Sequence, residues 1–244
     1  MTATRQLTLD FGTPPPRTFE NFTIGANDEL VSRLRRLDPA PAAGPVADDR
    51  SFYVWGEAGS GRSHLLQALV YDTSYGSARY LTPQSLLGAI AFDPRVSLYA
   101  VDDIDAMSDT QQIALFNLFN EVRAHPSSAF VSAGSAAPLA LDVREDLRTR
   151  LGWGLVFHLA PLADADKAGV FKRAARDRGI AIADDVPAYL LTHYRRDMSS
   201  LMTLLDALDR FSLEQKRAVT LPLLRTLLAT LEREAGSARS SSFK

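Results

Sequence analysis

One octapeptide, Gly56-Glu57-Ala58-Gly59-Ser60-Gly61-Arg62-Ser63, constrains the fold of this chain more than any other stretch. It follows the apolar run Phe52-Tyr53-Val54-Trp55 and precedes an apolar-rich helical pattern. Strand, glycine-rich loop and helix in that order make a P-loop, here with arginine where lysine is expected. Gly56 and Gly61 have the required spacing, and Gly59 and Ser60 lie between them. Backbone N–H groups of such a loop turn inward and cradle phosphates at the positive end of the following helix. Ser63 can place its hydroxyl on Mg²⁺. Lys is a compact point charge, whereas the guanidinium of Arg62 is a planar fork with a different reach. Binding of ADP or ATP is therefore expected, and fast hydrolysis is not implied.

The 244 residues suffice for one or two domains with a sizeable core. Apolar residues at 46% and charged residues at 23% are ordinary for a soluble protein. No run of membrane length and no secretory pattern occurs in the sequence. The absence of cysteine excludes disulfide and thiol chemistry and fits a cytoplasmic setting. A formal charge of −2 argues against strong direct DNA binding over the whole surface.

Residues 1–18 contain Pro14-Pro15-Pro16 and read as an extended arm. The folded part is expected to begin at Phe19-Glu20-Asn21-Phe22, with a short helix from Asn27 or Asp28 to Leu37. Strand candidates after the P-loop are 78–81, 96–101 and 129–133. Helices are expected to Tyr71, from Thr82 or Pro83 to just before Asp93-Pro94, and over 109–124. In the last of these Ile113, Phe116, Phe119 and Asn120 share a face. This alternation predicts an α/β domain over 19–160, an αβα sandwich on a mostly parallel sheet. Helical patterns near 164–178, 184–193, 198–215 and 220–234 predict a small all-helical lid over 161–235, followed by a loose tail over 236–244.

Asp102 and Asp103 end the apolar run 96–101, about where the Walker B carboxylates of a P-loop fold stand. Asp102 is the better candidate for Mg²⁺. Asp103 is a candidate to orient attacking water in cis, although Asp is shorter than the usual Glu. Ser135, after the next strand, either senses a γ-phosphate or caps its own turn. Arg144, Arg148 and Arg150 read from the residues alone as surface partners of Glu145 and Asp146. His64, His125, His158 and His193 have no ligand spacing, so no metal is expected beyond the Mg²⁺ of a nucleotide. In the arm, Gln6-Leu7-Thr8-Leu9-Asp10-Phe11 alternates apolar residues on one side of an extended segment. Such a segment is either a peptide plug for a partner's pocket or a terminal strand on this protein's own core.

Taken together, these residues resemble the AAA+ module of the bacterial replication initiator DnaA, and more closely the regulatory-inactivator branch of that family, Hda. The resemblance runs from Phe19 to the last helix. It is carried by Glu57 through Leu66, which includes Arg62 and His64, by Arg150-Leu151-Gly152-Trp153-Gly154, and by Arg196-Asp197-Met198. The second set looks like the box that bears the AAA+ arginine finger, which implies that role for Arg150 in trans. The third looks like the sensor-2 element and implies that Arg196 meets the nucleotide from the lid. The arm's Gln6, Leu7, Leu9 and Phe11 are similar to the peptide that docks on the β sliding clamp. The resemblance thus implies an ADP-bound regulator at the replication machinery that sits on the DNA-loaded clamp and stimulates ATP hydrolysis by DnaA. DNA contact would be indirect, through the clamp, and a homo-oligomer is compatible with the fold. The family carries Asp where Ser135 falls, which speaks against γ-phosphate sensing in cis, while Asp102-Asp103 keeps both Walker B carboxylates. Two other classes remain open at this point: a self-hydrolysing loader or DNA-remodelling ATPase, and a non-enzymatic clamp-bound scaffold.

Truncating anchor side chains in such interfaces costs about 1–4 kcal/mol, or about ten- to a thousandfold in affinity. Leu9→Ala combined with Phe11→Ala is expected to abolish capture on the clamp and to leave nucleotide binding intact. Unchanged clamp affinity in calorimetry would remove the arm from the functional account.

Overall fold

The computed structural model describes residues 16–37, 50–73, 77–215 and 219–241. Residues 1–15, with Gln6, Leu7, Leu9 and Phe11, lie outside them. Five strands form one sheet: β1 (Ser51–Trp55), β2 (Ser77–Leu81), β3 (Val96–Val101), β4 (Ala129–Gly134) and β5 (Leu155–His158). Their order is β2-β3-β4-β1-β5 and every pairing is parallel. Every residue of β3 and β4 is buried, as a parallel sheet covered on both faces requires.

Strand periodicity sorts the core into two layers. Phe52, Val54, Leu98, Ala100 and Val131 face one side, covered by α1 (Asp28–Arg35) and α2 (Arg62–Asp72). Tyr53, Tyr99, Val101 and Phe130 face the other, covered by α3 (Asp109–Ala124) and α4 (Glu145–Leu151). The result is the expected αβα sandwich. Helices α5 (Asp164–Asp177), α6 (Asp185–His193), α7 (Met198–Gln215) and α8 (Leu221–Ser241) form the lid around Phe171, Leu190, Leu204, Leu205, Leu208 and Leu224. Asn27 ties the start of the sandwich to its end: its amide nitrogen donates to Ala160 O at 3.1 Å and its oxygen accepts from Ala160 N at 2.8 Å.

Three local expectations are corrected. The stretch after Thr82 is not an α-helix but a turn followed by a 3-10 segment, Leu87–Ile90. The Gln111 amide donates to the carbonyls of Pro83 and Ser85, at 3.0 and 2.9 Å, and so engages acceptors that a helix would use. The buried stripe of α3 is Leu115, Leu118, Phe119 and Val122 rather than the face through Ile113, which is exposed. Two buried polar residues mask that stripe in the sequence. Gln111 bonds as above, and Gln112 donates to Met107 O and accepts from Arg144 N. Finally, α8 continues through 236–241, part of the segment expected to be a loose tail.

A Cβ on Gly154, at the entry to β5, would overlap the carbonyl oxygen of Ser51. Gly169, inside α5, has open space at that position. Gly154→Ala is therefore expected to destabilise by about 1–3 kcal/mol. Gly169→Ala is expected to stabilise by about 0.5–1 kcal/mol through lower chain entropy. Urea unfolding midpoints of the two variants check the opposite signs.

Candidate functional site

The loop from Gly56 to Gly61 leaves the C-terminal end of β1 and enters α2. Gly59 and Gly61 adopt positive φ, 78° and 104°, which glycine reaches without strain. Ser60 is buried, and its Oγ has no hydrogen-bond partner among the described residues; the same is true of Arg62 Nη1. Two buried polar atoms left unpaired beside a helix N-terminus fit an anionic ligand, because leaving them so otherwise costs free energy. The donor set therefore suits a nucleotide's phosphates, with the loop amides, Ser60 and Arg62 as donors.

Asp102 stands just past β3 and is 3% exposed. Its carboxylate accepts from Tyr80 Oη at 2.6 Å and from Asp103 N at 3.1 Å. Gln67 donates to the same phenol at 3.1 Å. Burial, and then the hydrogen bond to Asp102, push the Tyr80 phenol well above its ordinary pKa, so it stays a donor. Asp103 has a left-handed backbone, φ 46°, unusual for a residue other than glycine. Its carboxylate meets Arg62 Nη2 at 3.4 Å. Burial and then the neighbouring Asp102 raise the Asp103 carboxyl, with Arg62 opposing. Ser135 is exposed, and both its N–H and its hydroxyl donate to Asp105. Its polar groups thus complete a local turn.

A cleft of about 610 Å³ separates the loop from the lid. Gly59, Ser60, Gly61, Arg62, Ser63 and His64 all line it. His64 Nε2 lies 3.1 Å from Thr18 O and 2.9 Å from Asn21 Oδ1, and its ring meets Phe22 edge-on. Burial holds the imidazole below its ordinary pKa. His64 thereby fastens the segment 16–24 across the mouth of the cleft. Arg196 is not among the lining residues. It is 62% exposed, with Nη1 at 3.7 Å from Asp164. The lid instead meets the loop through the start of α7: a Cβ on Gly59 would come within 3.3 Å of Met198 N. Sequence reasoning missed Arg17, Arg173 and Arg178, which line the cleft. Arg178 pairs with Asp206 at 2.8 Å across α5 and α7. No motif spacing marks these residues, because tertiary packing brings the N-terminal segment and α5 to the cleft.

Arg150 lies elsewhere, on the face covered by α3 and α4. Its Nε donates to Asn120 Oδ1 at 3.0 Å, and its Cζ sits over the rings of Trp153 and Phe116. None of these partners lines the cleft. Arg144 pairs with Asp146 at 2.9 Å, the surface contact read from sequence.

Residues 164–228 match the family model described as Hda, lid domain. An uncharacterized protein of Haemophilus influenzae is 31% identical over 233 residues, spanning 92% of this chain and 98% of that one. The chain belongs to the same family as this Haemophilus protein. Domain III of the Thermotoga maritima replication initiation protein DnaA has the same fold, with a TM-score of 0.73 at 18% identity over 88% of this chain and 98% of that one. AMPPCP-bound DnaA from Aquifex aeolicus gives a TM-score of 0.61 at 19% identity, over 82% of this chain and 66% of that one. The architecture is thus AAA+-like, with the fold of DnaA domain III and a lid that matches the Hda lid model. None of the helices among the described residues is long and apolar enough to cross a membrane.

The Arg62–Asp103 pair sets a measurable expectation. Asp103→Asn keeps the shape, tolerates the left-handed backbone and releases Arg62 toward the loop. A half-exposed ion pair is worth about 0.2–1 kcal/mol, so ADP is expected to bind about 1.4- to fivefold more tightly to the variant. Isothermal titration of protein stripped of endogenous ligand reads the change.

Proposed function

We propose that this protein is a regulatory AAA+ adaptor that lowers initiator activity. It binds a nucleotide, preferentially ADP, docks on the DNA-loaded β sliding clamp through Gln6, Leu7, Leu9 and Phe11, and stimulates ATP hydrolysis by DnaA. The observation that carries this reading is the position of Arg150, away from the chain's own cleft and with no carboxylate paired to it among the described residues. The Hda-type lid and the resemblance of the motifs support DnaA as the partner in this reading.

In the cleft the loop amides, Ser60 and Arg62 hold phosphates, and Ser63 and Asp102 address Mg²⁺. Mg²⁺–nucleotide, when bound, would supply the charge that the loop amides and Arg62 meet. The start of α7 already touches Gly59, so ligand binding there spans both parts. Binding to the folded state alone raises stability by linkage, which a thermal shift with ADP tests. Cis hydrolysis is disfavoured in this reading because its candidate groups are engaged. Asp103 is held by Arg62, and Ser135 by Asp105. This weighs against the self-hydrolysing loader, which would show turnover by the purified protein alone. A scaffold would bind the clamp and leave the initiator's nucleotide unchanged. The setting implied is the cytoplasm, at the replication machinery, with DNA reached through the clamp.

In trans, the Arg150 guanidinium would meet the charge that redistributes onto the γ-phosphate of ATP bound to the neighbour. Such fingers are worth about 10³–10⁵ in rate. Arg150→Ala is expected to preserve folding, ADP binding and clamp binding, and to lose stimulation of hydrolysis of ATP preloaded on DnaA. Arg150→Lys should rescue poorly, since a point charge does not reproduce the fork. Full stimulation by Arg150→Ala would transfer the role to Arg148 or abolish the reading.

A further inference from the structure

Arg150 is the next-to-last residue of α4, and Trp153 follows the helix end. Gly152 N donates to Arg148 O, and Trp153 N to Arg150 O at 3.1 Å. This turn brings the indole back onto the guanidinium three residues before it. Arg150 Cζ lies 3.7 Å from the centre of the Trp153 ring and 5.2 Å from that of Phe116. Trp153 nevertheless remains 45% exposed. An aromatic ring that lies on the surface and carries a cation on its face is placed for recognition rather than for filling the core.

The two groups that touch the Arg150 guanidinium most closely, the Trp153 ring and the Asn120 amide, carry no charge, and Arg123 Cζ lies 5.0 Å from the centre of the same Trp153 ring. Arginine offers five N–H donors. One, on Nε, is satisfied by the Asn120 amide oxygen at 3.0 Å. The four on Nη1 and Nη2 have no hydrogen-bond or ion-pair partner among the described residues. A carboxylate in the place of Asn120 would fix the side chain equally well but would cancel its charge. An amide and a ring face orient the group and leave the charge available.

Building on the finger reading of Arg150, we propose that Trp153 and Asn120 are its positioning residues. The indole face sets the plane of the guanidinium, and Asn120 sets its rotation about Cδ–Nε. The Nη fork is left as the end that meets the triphosphate held by a neighbouring P-loop module. A free arginine side chain loses rotamer entropy when it is immobilised, and part of that loss is taken here before the partner arrives. The same residues also explain why Phe116 and Asn120 stand off the buried stripe of α3. They face α4 and serve this surface.

The test is single-turnover hydrolysis of ATP preloaded on DnaA, with DNA-loaded clamp and increasing amounts of this protein. Trp153→Ala and Asn120→Ala are each expected to lower the maximal stimulated rate about three- to thirtyfold, the scale of a cation–π contact. The half-saturating concentration should move by less than about twofold, since the contact acts on the transition state rather than on docking. Trp153→Phe keeps a π face and should recover most of the rate. In an Arg150→Ala background, Trp153→Ala should add no further loss. A spectroscopic arm stands apart from activity. With two tryptophans in the chain, Trp55→Phe leaves Trp153 as the sole reporter. Arg150→Ala should then uncover the ring face and increase its quenching by acrylamide. Unchanged quenching, full maximal rates for both Trp153→Ala and Asn120→Ala, or a further loss in the Arg150→Ala background overturns the positioning proposal. If Arg150→Ala itself still stimulates fully, the finger reading fails, and the positioning proposal with it.

Discussion

Parallel pairing of β1 with both β4 and β5 is the constraint on which the candidate site depends. The register aligns Trp55 with Gly134 on one side and with His158 on the other. The ladder closes with Gly56 N donating to Gly134 O and Leu159 N donating to Trp55 O. The ends of β1 and β4 are therefore fixed side by side, and the β3–β4 pairing brings the end of β3 alongside. In open parallel sheets ligands gather outside the carboxyl ends of the strands. Here those ends deliver the loop after β1, Asp102 and Asp103 after β3, and Ser135 after β4. Residues far apart in sequence thus become neighbours through the parallel ladders β1–β4 and β3–β4.

Strands β1 to β4 and most helices were legible because their signals are local. β3 and β4 read as largely apolar runs, broken only by Ser97 and Ser132. Helix α3 starts where Ser108 and Gln111 form a reciprocal capping box, and it occupies the expected 109–124. Signals failed where a tertiary partner decides. The carbonyls of Pro83 and Ser85 are claimed by Gln111 from a distant helix, and no property of residues 82–93 announces that. α4 and β5 are too short, at 7 and 4 residues, to show a period. The P-loop was legible because its glycines are demanded by backbone conformation. The cleft's lid wall was not. Arg196 carries the motif yet stands outside the lining, whereas Arg173 and Arg178 line it without a motif.

Charge is treated differently at the two ends of the domain. At the carboxyl ends of the strands, the polar residues that sequence reasoning singled out have protein partners: Arg62 with Asp103, Ser135 with Asp105, Asp102 with Tyr80; of these only Arg62 lines the cleft. These contacts hold the groups short of a reacting centre, and ligand binding has to rearrange at least the first of them. Asp103 keeps a left-handed backbone while its carboxylate faces Arg62, a conformation that costs about 1–3 kcal/mol for an ordinary residue and less for Asp. At the far end Arg150 is oriented by an amide and two rings and remains uncompensated. One arrangement favours retention of a ligand, and the other favours action on a partner.

The lid connects these roles mechanically. Asp197 caps α7 through a 2.8 Å hydrogen bond from Ser200 N, and the same turn presents Met198 N and Ser199 N to the loop at Gly59. A change in the loop on ligand binding therefore presses on the first turn of α7. Helix α7 contributes Leu201, Leu204, Leu205 and Leu208 to the lid core, so it cannot shift without carrying the packed helices with it. Arg178, just past the end of α5, reaches Asp206 on α7 and stands at the wall of the cleft. Loop, α7 and α5 thus form one continuous chain of contacts. Under the proposed function, a nucleotide bound in the cleft would act as a structural ligand that bridges the loop and the lid. A regulator that works on a neighbour's ATP needs that from its own site more than it needs turnover there.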